Sequence, residues 1–150
     1  MNVIQKQVII IGGGPGGLAA AAELKKKGVE QILILEREHT PGGILRQCIH
    51  DGFGLTRFGE TLSGPEYAQR FIDQVHELGI EIVTDATVIG LTEDRLVTAA
   101  SRNGLLQYQA DAVILTMGCR ERTRGALSIP GERPSGITAV GTATVGQIKW

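Results

Sequence analysis

The sequence predicts an α/β fold of three layers built on a parallel sheet, with an antiparallel β-meander inserted into it. Three observations carry that reading. Apolar, strand-like runs flank a helical pattern in the first 36 residues. Short strand-like pieces with a hairpin signal occupy about residues 86–109. A further continuous apolar run, "ADAVILTMG" at 110–118, then restores the pattern of a strand buried on both faces.

The elements follow in order. "QVIII" (7–11) is β-branched and unbroken, as a doubly covered strand requires. "PGGLAAAAELKKK" (15–27) reads as a helix, with proline in its first turn, lysines in its last and Gly28 as the stop. Its alanines let it lie close on a sheet. "QILILE" (31–36) is a second buried strand, and strand–helix–strand in this length is a βαβ unit with parallel strands. Residues 39–63 are glycine-rich and read as irregular. "PEYAQRFIDQVHEL" (65–78) places Tyr67, Phe71, Val75 and Leu78 at helical spacing with charges opposite, and Gly79 ends it. "IEIVTD" (80–85) is a third strand. "ATVIGLT", "RLVTAASR" and "LLQYQ" make the meander, with Asn103-Gly104 expected as a type I′ turn. Glycine and proline loops fill the last 30 residues.

Composition sets limits. The 150 residues suit one domain, and 42% hydrophobic content suffices for a packed core. A net charge of −1 gives no electrostatic reason for a nucleic-acid or anionic-membrane partner. Aromatics at 4% argue against stacking platforms for single strands. The apolar runs are too short to span a bilayer, and nothing resembles a signal cleavage site. Cys48 and Cys119 stand alone, so neither a zinc site nor a disulfide framework is expected. They read as reduced thiols in a cytoplasmic protein.

The most informative stretch is "VIIIGGGPGGLAAAAELKKKG" (8–28), with five glycines in the six positions from Gly12 to Gly17. Gly12-x-Gly14-x-x-Gly17 matches a dinucleotide fingerprint. The first glycine permits the tight turn, the second lets backbone N–H groups approach a pyrophosphate, and the third lets helix and strand pack closely. The helix N-terminus adds unpaired donors and partial positive charge. Alone the pattern is weak. Its position between a strand and a helix, with Glu36 closing the next strand, strengthens it. A carboxylate there accepts from both ribose hydroxyls and repels a 2′-phosphate, which disfavours NADP at this position. Gly13 and Gly16 read as permissive extras, Gly16 beside the expected phosphates.

The fingerprint does not choose between NAD and FAD. "EREHTPGG" (36–43) places a glycine pair shortly after the acid. Here the chain resembles the FAD-dependent pyridine nucleotide oxidoreductases with two dinucleotide-binding domains. The resemblance implies a Rossmann-like FAD-binding domain. It implies that Gly12, Gly14, Pro15, Gly16 and Gly17 hold the pyrophosphate of FAD, and Glu36, with Arg37 beside it, the adenosine ribose. Gly43 lies toward the flavin. "DAVILTMG" is similar to the family's second FAD motif, with Thr116-Met117-Gly118 carrying Met where Thr is usual; Thr116 and Gly118 are thus implied at the cofactor. Val88 stands where a backbone group meets the adenine. "LSIPGE" (127–132) resembles the segment leading toward a nicotinamide domain. "GGILRQCIHDGFGL" (42–55) is similar to stretches in FAD/NAD(P)-binding oxidoreductases related to the larger subunits of sarcosine and opine oxidases and of hydrogen cyanide synthase.

The resemblance implies FAD as cofactor, NAD(P)H as co-substrate and a small-molecule redox substrate. A dithiol mechanism needs two sulfurs. The paired-cysteine positions of the disulfide reductases fall here on Leu45 and His50, and Cys48 has no partner. Cys48, His50 and Asp51 form a local cluster of nucleophile, imidazole and carboxylate, but adjacency in sequence is a weak guide to contact. The first reading is a structural thiol beside a loop histidine. The run Arg120-Glu121-Arg122-Thr123-Arg124 offers a steering charge for a phosphorylated nicotinamide, and reads first as a solvated loop with mutual ion pairs. Cys119 is expected to be small and buried. No side chain is assigned as catalytic. The resemblance also implies a second domain for NAD(P)H and a returning segment. Neither lies within residues 1–150, so the fold is expected to be incomplete at its C-terminus. A fragment, a truncated product and a subunit needing a partner all remain open.

Overall fold

The computed structural model describes residues 3–119 and 122–132. A six-stranded sheet has the order β5-β2-β1-β8-β7-β6. β1 (Val3–Ile11), β2 (Ile32–Leu35), β5 (Glu81–Val83) and β8 (Gly104–Leu115) pair in parallel. β6 (Thr87–Leu91), β7 (Leu96–Ser101) and the first half of β8 form the antiparallel meander. The fold class is the expected one, Rossmann-like with an inserted meander.

Two cores flank the parallel strands because alternate residues of a strand face opposite ways. Val8 and Ile10 of β1 join Ile32 and Ile34 of β2 on one face. There they meet α1 (Pro15–Lys26) through Leu18 and Ala21, and α3 (Gly64–Glu77) through Phe71, Ile72 and Val75. Ile9, Ile11, Leu33 and Leu35 point the other way, onto Val97, Ala99 and Tyr108 of the meander. β1 and β2 are therefore sealed on both sides, which is why their sequences are continuous apolar runs rather than alternating ones.

Several elements depart from expectation, each for a local reason. β1 starts at Val3 rather than at residue 7 because β8 is long enough to pair with it from Val3↔Gln107 to Ile11↔Leu115. "LLQYQ" and "ADAVIL" are one strand, not two: its first half serves both the meander and β1. The hairpin before it turns at Arg102 and Asn103, one residue earlier than expected, with Ser101 paired to Gly104. Positive φ falls on Gly104 alone (+112°), so the turn is not type I′. Ser101 selects this geometry, since its hydroxyl accepts from Asn103 N at 3.3 Å and donates to Gly104 O at 2.9 Å.

Residues 39–63 are ordered rather than structureless. A 3-10 turn spans Gly43–Gln47, β3 (Asp51–Phe53) pairs with β4 (Leu62–Ser63), and α2 (Leu55–Phe58) lies between them. Phe53 and Phe58 anchor this excursion on α3, with ring centroids 6.0 and 5.5 Å from Tyr67. α3 begins with a capping box: Ser63 N and Oγ both donate to the Glu66 carboxylate, at 2.8 and 2.6 Å. Ser63-x-x-Glu66 was a readable signal for that start. Beyond Ala110, β8 has β1 on one side and no strand on the other among the described residues. Among those residues, no helix is long and apolar enough to cross a membrane.

Candidate functional site

The glycine loop sits where β1 ends and α1 starts, at the C-terminal ends of the parallel strands. Three chain segments meet there, each through named contacts. The turn itself is held by β8: Thr116 N donates to Ile11 O at 2.9 Å, and Thr116 Oγ1 donates to Gly12 O at 2.8 Å. Gly12 has φ +108°, and a Cβ on it would lie 2.5 Å from Thr116 O. A Cβ on Gly17 would lie 2.1 Å from Gly12 O and 2.7 Å from Thr116 Oγ1. These two glycines have no room for a side chain because the helix and β8 press on the turn.

The acidic residue closes the loop from the other side. Glu36 is buried, 5% exposed, at the end of β2. Its backbone is laddered to the β5–β6 junction, Glu36 N donating to Val83 O and Ala86 N donating to Glu36 O, both at 2.9 Å. The carboxylate accepts from Gly13 N at 2.7 Å through Oε2 and from Glu38 N at 2.9 Å through Oε1. Burial without an opposite charge is tolerable only because backbone donors take both oxygens. Gly13 is thus more than a permissive extra. A Cβ on it would meet Glu36 Oε2 at 3.0 Å and the Pro41 ring at 3.2 Å, and its carbonyl accepts from Gly42 N at 2.8 Å. Sequence reasoning missed Gly13 because its partner lies 23 residues away.

Between these packed positions lies an open one. Gly14 is the N-cap of α1, in extended backbone at φ −74° and ψ 179°, and no side chain caps the helix there. A Cβ on Gly14 would find only Gly43 Cα, at 4.0 Å. Gly16 is similarly loose, with only the Thr116 methyl at 4.0 Å. Pro15 occupies the first helical position and offers no N–H, which leaves the following amides to meet a ligand. Gly43 covers the other side at φ +56°, where a Cβ would lie 3.1 Å from Gly14 Cα. The first turn of α1 contains no acidic residue, so no carboxylate of the helix itself opposes an anion there. This cradle of bare backbone fits a pyrophosphate, and the buried carboxylate one residue's reach away fits a ribose diol.

The other predicted positions are more scattered. Arg37 is exposed and pairs with Glu38 at 3.2 Å. Val88 lies in β6 opposite Ala99, with its side chain in the meander core. Gly118 has φ +68° just beyond β8 and is exposed. Cys119 is exposed rather than buried, because the strand end that carries it has no neighbour on its free side among the described residues. Cys48 Sγ turns to Ile44 O at 3.5 Å, whereas His50 Nδ1 lies 3.1 Å from Asp51 O and its ring stacks near Phe53. No Cys–His pair is formed. Arg120 and Glu121 fall outside the described residues. The Arg124 guanidinium is occupied by the carbonyl oxygens of Ile129, Pro130, Gly131 and Glu132, so the "IPGE" segment wraps around it. A surface hollow of about 630 Å³ lies elsewhere, lined by Arg57, Phe58, Arg70, Asp73, Gln74 and Glu77 on the outer side of α2 and α3. It shares no residue with the glycine loop.

The family model described as "Pyridine nucleotide-disulphide oxidoreductase" matches residues 6–148. The chain belongs to this family. Hydrogen cyanide synthase subunit HcnB of Pseudomonas protegens is 31% identical over 89% of this chain and 28% of its own length. Thioredoxin reductase of Rickettsia conorii is 30% identical over 93% of this chain and 44% of its own length. The crystal structure of L-proline dehydrogenase from P. horikoshii shares the fold, with a TM-score of 0.65 and 22% identity over 79% of this chain and 24% of that one. This chain thus spans less than half the length of these relatives. Pyridine nucleotide-disulphide oxidoreductases are oxidoreductases, and the thioredoxin reductase-like members work with FAD and NADPH.

Proposed function

We propose that residues 1–150 are the FAD-binding portion of an FAD-dependent oxidoreductase, which passes electrons between NAD(P)H or a small metabolite and an acceptor. One observation carries this reading. Gly14 is bare and open at an uncapped helix N-terminus, while Gly12, Gly13 and Gly17 around it are closed by packing. A turn that served architecture alone would have no reason to keep Gly14 and Gly16 free of side chains. Gly14, Gly16 and Gly17, after Pro15, are the amides offered to the pyrophosphate, and the turn at Gly12 sets their direction. Glu36 receives the adenosine ribose through the lone pairs its two backbone donors leave free. Arg37 flanks it at the surface, and the backbone at Val88 borders the adenine. Gly43, Thr116 and Gly118 keep the backbone close to the rest of the cofactor.

FAD, when bound, supplies the redox chemistry, and the chain binds and orients it. The partners in this reading are a small redox substrate and either a second subunit or further chain carrying the nicotinamide site. Two unpaired cysteines support a cytoplasmic location. The likeness of "GGILRQCIHDGFGL" to subunits of the sarcosine and opine oxidase type, together with the identity to the hydrogen cyanide synthase subunit, supports oxidation of a small metabolite over disulfide reduction. The test is a visible spectrum and FAD titration of the purified chain. A flavin spectrum, or saturable uptake of added FAD, is expected. A colourless protein that refuses FAD but binds NAD would instead make this a non-catalytic dinucleotide-binding module.

A further inference from the structure

Asp85 is one of three non-glycine residues with positive φ among the described residues, at +52°. Left-handed backbone is uncommon outside glycine, although aspartate tolerates it better than most. What holds it there is a convergence of three chain segments. Its amide donates to Glu38 O at 3.1 Å. One carboxylate oxygen lies 2.9 Å from His39 Nδ1, and the other accepts from the Arg102 guanidinium at 3.3 Å. His39 belongs to the loop that follows Glu36, and Arg102 to the tip of the β7–β8 hairpin. Asp85 itself joins β5 to β6, between Val83 and Ala86, the two residues that ladder with the Glu36 backbone. The same contacts hold the Asp85 carboxyl below its ordinary range, the His39 hydrogen bond being the largest cause.

We infer that Asp85 is a positioning residue for the adenosine half of the dinucleotide: it clasps His39 to Arg102 and so fixes Glu36–Glu38 against Ala86–Val88. This rests on the proposed placement of the ribose at Glu36. The backbone hydrogen bonds at this corner, from Asp85 N to Glu38 O and from Ala86 N to Glu36 O, join the loop after Glu36 to the β5–β6 junction, and Asp85 adds the side-chain link from that loop to the hairpin tip.

The probe is ADP-ribose, which carries the adenosine and pyrophosphate of both FAD and NAD. Calorimetric titration of the full chain should give about fivefold weaker binding for Asp85→Asn than for the wild type, the size of an exposed charge pair, with the melting temperature nearly unchanged. His39→Ala should weaken binding by a similar factor, and Asp85→Gly, which accepts positive φ without strain, should behave like Asp85→Asn. In a Glu36→Ala background Asp85→Asn should have no further effect on affinity, because Asp85 acts through the placement of Glu36. Unchanged affinity in Asp85→Asn overturns the inference. So does an equal loss of affinity in the Glu36→Ala background, or a loss that only follows a lowered melting temperature, since either marks a purely architectural residue. A wild type that binds ADP-ribose but refuses FAD, with Asp85→Asn weakening that binding, upholds the clasp and removes the FAD reading. A wild type that binds neither removes both.

Discussion

Gly14 and Gly17 lie three residues apart in one loop, and their missing side chains serve opposite ends. At Gly17 a methyl group would sit 2.1 Å from Gly12 O, inside the packed joint of β1, α1 and β8. At Gly14 the same methyl would meet nothing nearer than 4.0 Å. At Gly17 the fold excludes a side chain, whereas at Gly14 it leaves the space open, and in the proposed function a pyrophosphate takes that space. On that reading the pair separates architecture from ligand binding within a single motif, and substitutions can read the two apart.

Gly17→Ala should have the largest effect. Overpacking against backbone cannot be relieved by a rotamer change, so a stability loss of about 3 kcal/mol or more is expected. Denaturant unfolding measures it, and a wild-type midpoint would break the comparison. Glu36→Ala should move both readouts. It orphans the Gly13 amide, at a cost of about 1–3 kcal/mol, and should weaken FAD binding about 100-fold, equivalent to about 2.7 kcal/mol. Unchanged FAD affinity would remove the ribose assignment. Gly14→Ala should leave stability within about 0.5 kcal/mol of wild type yet lower FAD affinity by a similar factor of about 100. A folded variant with intact affinity would mean that the open face of the loop is not where the cofactor lies.

Ser63→Ala supplies the opposite pattern. Loss of the α3 cap should cost about 1 kcal/mol and leave FAD affinity alone, because the Ser63 and Glu66 side chains bond to each other and not to the glycine loop or Glu36. The smallest expected effect is a pH dependence at the same cap. Glu66 is held below its ordinary value of 4.5, chiefly by the Ser63 hydroxyl, then by the Ser63 amide. A carboxyl lowered on folding stabilises above its unfolded pKa, and that contribution fades as pH falls through the folded one. The wild-type unfolding midpoint should therefore fall below about pH 4.5 more steeply than that of Glu66→Gln. Parallel curves would show the cap to be silent.

Much of this was legible in the chain. The βαβ unit, α3 and the meander follow from periodicity, because each uses its own residues to bury one face. The glycine fingerprint and Glu36 follow from spacing, since β2 necessarily returns beside β1. The ordered excursion over residues 39–63 was not legible: two- and three-residue strands and a one-turn helix carry no period, and aromatic contacts with α3 hold them. Nor was the fusion of "LLQYQ" with "ADAVIL", because the sequence pattern changes where the strand passes from the meander into the parallel sheet.

By itself the sequence determined the fold class, the family and the loop proposed to meet the dinucleotide. Local chemistry sufficed there: apolar runs must be covered, and a bare turn before a helix must face something polar. Tertiary structure decided which glycine does what, that the Glu36 carboxylate is pinned to Gly13, and that His39, Asp85 and Arg102 close one corner of the site. Those facts depend on distances between residues far apart in the chain, and only the packing of β8 and the meander against β1 and β2 fixes them.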